Sequence, residues 1–225
     1  MTRGGADLSR LAVLFDLDGT LIDSVPDIHA TVNRVLGAMG LPETGRATVQ
    51  SFVGNGLPVL IDRLLAHHAH PASPKDRANL IAAFEADYSA RHELTTLYPG
   101  VRQALATLTA QGAALGICTN KPIGPARAIL DHLVLSPLFA AVLGGDSLAV
   151  RKPDPEHLLA TARALGRPKA IFVGDSEVDA ATAKAAGVPF LLYTEGYRKS
   201  PVDSIAHDKA FADWTDLPGL TAGWG

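Results

Sequence analysis

Two aspartates one residue apart, Asp16 and Asp18, close the apolar run in "LAVLFDLDGTL" (11–21). Carboxylates at the exit of a buried strand repel one another and lose solvation, so the placement is costly unless a cation answers it. Three later stretches place comparable groups at the ends of apolar segments: Thr119 and Asn120 in "CTN", Lys152 in "RKPDP", and Asp175 with Asp179 in "GDSEVD". If they converge, Asp16, Asp18 and Asp175 offer acceptor-only oxygens, a hard donor set that suits Mg²⁺. Lys152 adds a second positive charge, while Thr119 and the backbone N–H groups around Asn120 can hold phosphate oxygens. A carboxylate can attack phosphorus to form an aspartyl phosphate. A second carboxylate two residues on can act as general acid, then base. The residues therefore point to a metal site that binds a phosphoryl group beside carboxylates.

The elements that must position these groups are legible in the pattern. Five short apolar runs recur, at 11–16, 114–120, 140–146, 170–175 and 188–194. Continuous short runs are the mark of strands buried on both faces. Helical patterns separate most of them: 101–112 with Val101, Leu105 and Leu108 on one face, 154–166 opening on Asp-Pro, and 176–187 opening on Ser176. Gly112, Gly166 and Gly187 end these helices. Alternating strands and helices predict a doubly wound, parallel-sheet, Rossmann-like α/β core with helices on both faces. In such sheets, sites form beyond the carboxyl ends of the strands.

The interval after the first strand breaks the rhythm. From about Ser24 to Leu97 only helical spacing is seen, including a stripe of Ile28, Val32, Val35, Leu36 and Met39. One crossover needs only one helix. The excess predicts an all-helical cap subdomain at 24–96 inserted into an α/β core formed by 1–23 and 97–225.

Composition excludes several classes. The chain has 225 residues, 47% hydrophobic and 19% charged, with a formal net charge of −3. A sizeable core can form, and there is no basic footprint for nucleic acid or a membrane surface. The run Leu11 to Phe15 is too short to span a bilayer, and "MTRGGADLSR" lacks a signal-like apolar core. A single cysteine, Cys118, permits no internal disulfide and reads as a buried small hydrophobe. The expectation is a cytoplasmic protein acting on a small phosphorylated metabolite, with a homodimer left open. A calcium loop fails on register: with Gly19 at the invariant glycine, Leu14 falls on the first ligand position. His67, His68 and His70 lie where a helix runs into "PASP" and read as a solvated helix end, since adjacent residues do not share a helix face.

The ordered set "FDLDGTL", "CTN", "RKPDP" and "GDSEVD" resembles the four motifs of the haloacid dehalogenase-like hydrolases, over nearly the whole chain. The resemblance implies Asp16 as nucleophile and Asp18 as general acid/base. It implies Mg²⁺ on the side chains of Asp16 and Asp175 and the backbone carbonyl of Asp18, with Asp179 close by or through water. Thr119 and Asn120 would bind phosphate, and Lys152 would orient Asp16. The presence of Asp18 argues against carbon–halogen cleavage, whose ester intermediate needs no protonated leaving group. A phospho-receiver lacks the long insert, and a non-enzymatic phosphometabolite binder has no need of Asp18.

Substrate choice falls to the insert. In "FVGNGLPVLIDRLL" (52–65), Gly54, Asn55 and Gly56 precede a helix and offer N–H donors at its start. This stretch, with "DSVPDIHATVNRVLGAMGLP", is similar to phosphoglycolate phosphatases, which suggests 2-phosphoglycolate. Arg63 and Lys121 are candidates to pair its carboxylate. A sugar-phosphate phosphatase, a pyrophosphatase or a phosphoglucomutase-like enzyme is the alternative.

Overall fold

The computed structural model describes residues 6–225. Residues 1–5, with which the expected core segment begins, lie outside them. In chain order the elements begin with β1 (Leu11–Phe15), β2 (Ile22–Asp23), α1 (Val25–Ala38), α2 (Arg46–Phe52), α3 (Leu57–His67), α4 (Pro74–Ser89) and β3 (Thr96–Leu97). They continue with α5 (Val101–Ala110), β4 (Ala114–Cys118), α6 (Ile123–His132), β5 (Ala141–Leu143), α7 (Pro155–Leu165), β6 (Lys169–Gly174) and α8 (Glu177–Ala186). The chain closes with β7 (Phe190–Tyr193), β8 (Lys209–Phe211) and α9 (Leu217–Thr221).

A six-stranded parallel sheet runs in the order β5-β4-β1-β6-β7-β8. Its central strand explains the unbroken apolar run. Leu11, Val13 and Phe15 point into one cluster with Val101, Leu105, Leu108 and Trp214. Ala12 and Leu14 point into the other with Leu158, Phe172 and Ala183. Both faces are covered, so alternation of polar and apolar residues would bury polar groups. The five runs become β1, β4, β5, β6 and β7. The sixth strand, β8, went unrecognised because "KAF" is too short and too mixed to stand out.

Local chemistry sets the helix ends. The Asp154 side chain accepts from the Glu156 amide at 2.9 Å to open α7, with Pro155 next. Gly166 and Gly187 end α7 and α8 in left-handed conformation, at φ 63° and 65°. Ser176 N–H and Oγ both donate to Asp179 Oδ2, at 3.1 and 2.6 Å, which fixes the first turn of α8 directly beyond β6.

Helices α1 to α4 lie between β2 and β3 and enclose their own apolar cluster, including Ile28, Val32, Leu36, Val49, Leu60 and Phe84. The expected stripe on α1 holds, with Val35 and Met39 half-buried at its edge. One departure is at the legs. The interval holds more than helices, because Ile22 pairs with Leu97 and Asp23 with Thr96 in a short antiparallel ribbon. Asp27 ties the legs further, accepting from Thr95 Oγ1 at 2.6 Å and from the Leu94 amide at 3.1 Å. Among the described residues, no helix is long and apolar enough to cross a membrane.

Candidate active site

All the acids, the threonine and the lysine singled out from sequence collect at the carboxyl edge of the sheet. Asp16 and Asp18 follow β1, Thr119 and Asn120 follow β4, and Asp175 follows β6. Lys152 arrives from the loop before α7 and Asp179 from the first turn of α8. Gly19 makes the turn after β1 feasible. Its φ is +85°, and a Cβ there would fall 2.5 Å from Asp175 Oδ2.

Asp16, Asp175 and Asp179 are buried, and one carboxylate oxygen of each lies within 4.8 Å of the others. Lys152 Nζ sits between two of them, 2.9 Å from Asp16 Oδ1 and 2.7 Å from Asp179 Oδ1. Asp175 is held by different donors: Thr20 Oγ1 donates to Oδ1 at 2.7 Å and the Tyr197 amide to Oδ2 at 2.6 Å. One ammonium against three buried carboxylates leaves the cluster short of positive charge. Burial pushes the Asp16 carboxyl up to about 6, against the pull of Lys152 and with a further push from Asp179. Asp175 is raised well above the ordinary carboxylate value by burial, then by Asp179 and Asp16. Burial would lower Lys152, but Asp16 and Asp179 outweigh it and hold the ammonium charged.

This donor set fits a hard divalent cation. The oxygens converge, their shared negative charge is under-compensated, and Asp16 Oδ1 receives no aligned hydrogen bond although Lys152 is close. Asp179 differs from the other two. Both its oxygens are taken, by Lys152 and by Ser176, which places it as a support for Lys152.

The Asp18 carboxylate turns away from the cluster. It pairs with Lys121 Nζ at 3.0 and 3.2 Å and accepts from Ser24 Oγ at 2.6 Å. Lys121 also donates to Tyr88 Oη of α4 at 2.8 Å, and the carboxylate and phenol raise its pKa against the effect of burial.

A cleft with about 610 Å³ of atom-free space lies between the sheet edge and the helical insert. Asp16, Asp18, Thr119 and Asn120 form its floor, with Gly54 and Gly56 at the rim. The insert touches the core here: Asn120 Nδ2 donates to Gly54 O at 3.1 Å and to Lys152 O at 3.0 Å. Asn55 is not brought into this cleft. It lines a second opening together with Asp16, Asp18 and Asp175, and its Oδ1 accepts from Arg63 Nη2 at 2.9 Å. Arg63 also donates to Phe52 O at 2.8 Å, so it braces the loop. Among the histidines, His68 Nε2 lies 2.7 Å from Thr44 Oγ1 and His67 is exposed. Cys118 is buried, and its thiol is pushed up to about 12 by burial.

Sequence reasoning passed over Thr20, Ser24, Tyr88 and Tyr197. Thr20 and Ser24 lie close to Asp18 in sequence and could have been weighed as hydroxyl donors. Tyr88 and Tyr197 carry no local signal, because their partners are distant along the chain.

The chain is similar to known proteins in sequence and in fold. Residues 11–187 match the haloacid dehalogenase-like hydrolase family. A phosphoglycolate phosphatase of Cereibacter sphaeroides (strain ATCC 17029 / ATH 2.4.9) is 49% identical over 209 residues, covering 92% of this chain and 96% of that one. A phosphoglycolate phosphatase of Rhodobacter capsulatus is 47% identical over 217 residues, covering 95% and 97%. The crystal structure of a predicted phosphoglycolate phosphatase from Haemophilus somnus 129pt has a TM-score of 0.88 at 31% identity, covering 93% and 97% of the two chains. The family match runs from β1 through α8 and takes in every acid of the cluster, so the chain belongs to the haloacid dehalogenase-like hydrolases.

Proposed function

We propose that the protein is a Mg²⁺-dependent phosphatase of small phosphorylated metabolites, with hydrolysis of 2-phosphoglycolate to glycolate and phosphate as its main reaction. The observation that carries this reading is the division of Asp16 and Asp18 between two ammonium groups, Lys152 and Lys121. Two carboxylates so close in sequence are thereby given different surroundings, as a nucleophile and a proton carrier require. The substrate is suggested by the names of the Cereibacter and Rhodobacter relatives.

Asp16 attacks phosphorus, and the bond to the leaving oxygen breaks as Asp18 hands that oxygen a proton. The aspartyl phosphate on Asp16 is then attacked by water, with Asp18 taking the proton back. Lys152 stays charged throughout and holds Asp16 in line. The Thr119 hydroxyl and backbone amides near Asn120 bind the phosphoryl oxygens. Asp16, Asp175 and the backbone carbonyl of Asp18 would hold Mg²⁺, with Asp179 anchoring Lys152 beside them. When bound, Mg²⁺ supplies charge neutralisation and orientation for the transferring phosphoryl group. Protonation of Asp18 also weakens its hold on Lys121, which frees that ammonium for the substrate carboxylate.

The insert at 24–96 serves as a cap over the core at 1–23 and 97–225. Its contacts at Gly54–Asn120 and Tyr88–Lys121 support a closed arrangement that excludes water. The test is phosphate release, with and without Mg²⁺, from 2-phosphoglycolate, hexose phosphates and pyrophosphate. A clear preference for 2-phosphoglycolate, lost on chelation, is the expected result. Preference for a hexose phosphate or pyrophosphate overturns the substrate, and no release from any of them overturns the reaction.

A further inference from the structure

One residue holds both an acid of the cluster and the point where the chain enters the helical insert. Tyr197, in the loop after β7, donates its backbone amide to Asp175 Oδ2 at 2.6 Å. Its side chain runs to the start of α1. There the phenol donates to Asp23 Oδ1 at 2.7 Å and accepts from the amides of Ser24 and Val25 at 2.8 and 3.1 Å. The first amides of a helix have no partner within the helix and need one from outside. The Ser24 hydroxyl makes no capping bond and donates to Asp18 instead. The phenol supplies the acceptor for the Ser24 and Val25 amides from across the molecule, 173 residues from Ser24 in sequence.

The ring has little room to move. Tyr197 is 8% exposed, and a Cβ added at Gly19 would meet its Cδ2 at 2.7 Å and Asp175 Oδ2 at 2.5 Å. Asp175, Gly19 and the ring therefore form one packed unit. The Tyr197 backbone and ring thus link the Asp175 carboxylate to the amides at 24 and 25.

We propose that Tyr197 is a positioning residue that couples occupancy of the site at Asp16 and Asp175 by a divalent cation to the rigidity of the Asp23–Val25 hinge of the insert. The inference rests on reading that cluster as a cation site. A coupling of this kind is reciprocal: a cation that stiffens the hinge binds more tightly by the same factor when the hinge is stiff.

The experiment measures amide hydrogen exchange at Ser24 and Val25, with and without Mg²⁺, together with Mg²⁺ affinity by calorimetry. In the wild type, Mg²⁺ slows exchange at both amides. Tyr197→Phe keeps the backbone amide on Asp175 and the ring, and removes only the phenol's three hydrogen bonds. In that variant exchange at 24 and 25 should be fast and indifferent to Mg²⁺, and the Mg²⁺ dissociation constant should rise about fivefold or more. Asp23→Ala, which removes the acceptor for the phenol proton, should shift both readouts in the same direction and carries the test if Tyr197→Phe does not fold. Leu105→Ala, a truncation in the cluster beneath β1, should lower Tm yet leave the hinge response to Mg²⁺ in place.

Retention of the full Mg²⁺ response and affinity in the variants overturns the proposal. So does loss of the response in Leu105→Ala, which would mark it as general destabilisation. Absence of Mg²⁺ binding to the wild type would instead overturn the cation reading on which the proposal stands.

Discussion

Asp18 and Lys121 form an ion pair at 3.0 Å across the floor of the cleft, one from the turn after β1 and the other from the loop after β4. Their side chains are 13% and 5% exposed, so water screens the pair little. Removing one partner of such a pair leaves an uncompensated charge in a dry site, at a cost of about 3–5 kcal/mol. Lys121→Met should therefore lower Tm markedly in calorimetry. It should also reduce kcat/KM for 2-phosphoglycolate, since Asp18 loses the group that orients it. Unchanged Tm and kinetics would show that Ser24 alone suffices to hold Asp18.

Asp16→Asn should abolish turnover, by roughly 10⁴-fold or more, the scale on which loss of a catalytic nucleophile is felt. Stability should respond differently. The substitution removes one of three crowded buried carboxylates while Lys152 keeps Asp179. In chelator, the variant's Tm should match or exceed that of the wild type. Full activity would remove Asp16 from the mechanism.

The stabilisation conferred by Mg²⁺ should grow with pH. Asp16 titrates near 6 in the fold, and Asp175 is raised well above its ordinary value, so without a cation the folded chain binds more protons than the unfolded chain. The contribution of these acids to stability therefore falls as pH climbs from about 4 through about 6 and beyond. Mg²⁺ competes with those protons and offsets the loss. His157 acts in the opposite sense on bare stability: burial, and then Lys152, lower it to about 4. Its folded value lies below its unfolded one, so its contribution is lost as pH falls. The informative quantity is thus the difference in Tm with and without Mg²⁺, followed from pH 4 to 7.5. A difference that stays flat or shrinks would mean that the acids do not hold the cation.

Gly19→Ala should disturb the cluster without touching a charged group. A side chain at φ +85° costs about 1–2 kcal/mol in backbone strain. Its Cβ would also push on Asp175 Oδ2 and the Tyr197 ring. The expected outcome is a weaker Mg²⁺ affinity and a lower kcat, read by calorimetry and phosphate release. Wild-type values for both would show that the turn can yield.

What could be read from sequence was whatever a short window encodes. The run ending at Asp16 is apolar on both faces because β1 is central, and the polar ends of β4 and β6 stand out for the same reason. Edges and pairings were harder. β8 has three residues at the rim of the sheet, and β2 and β3 have two each, too few for a period to register. The converging acids and Lys152 were found, but the donors to Asp175 and Asp18 were not. Whether Asp179 faces a cation or Lys152 depends on where α8 starts relative to the loop before α7. Arg63 is a sequence candidate to pair a substrate carboxylate, and only the folded loop gives it Asn55 and Phe52 O as partners. Tyr197 is the extreme case, since the partners of its phenol lie near the opposite end of the chain.

The ribbon of β2 and β3 brings the two ends of the insert side by side, with Asp23 opposite Thr96. Ends that already meet can be joined by another segment of different length with little loop-closure penalty. The six strands would not register the exchange, because each lies outside the interval, whereas Asp18 and Lys121 would need new partners for Ser24 and Tyr88. The architecture is thus a chassis with a replaceable module: a different set of helices could be joined between positions 23 and 96, provided that it again supplies partners for Asp18, Lys121 and Asn120.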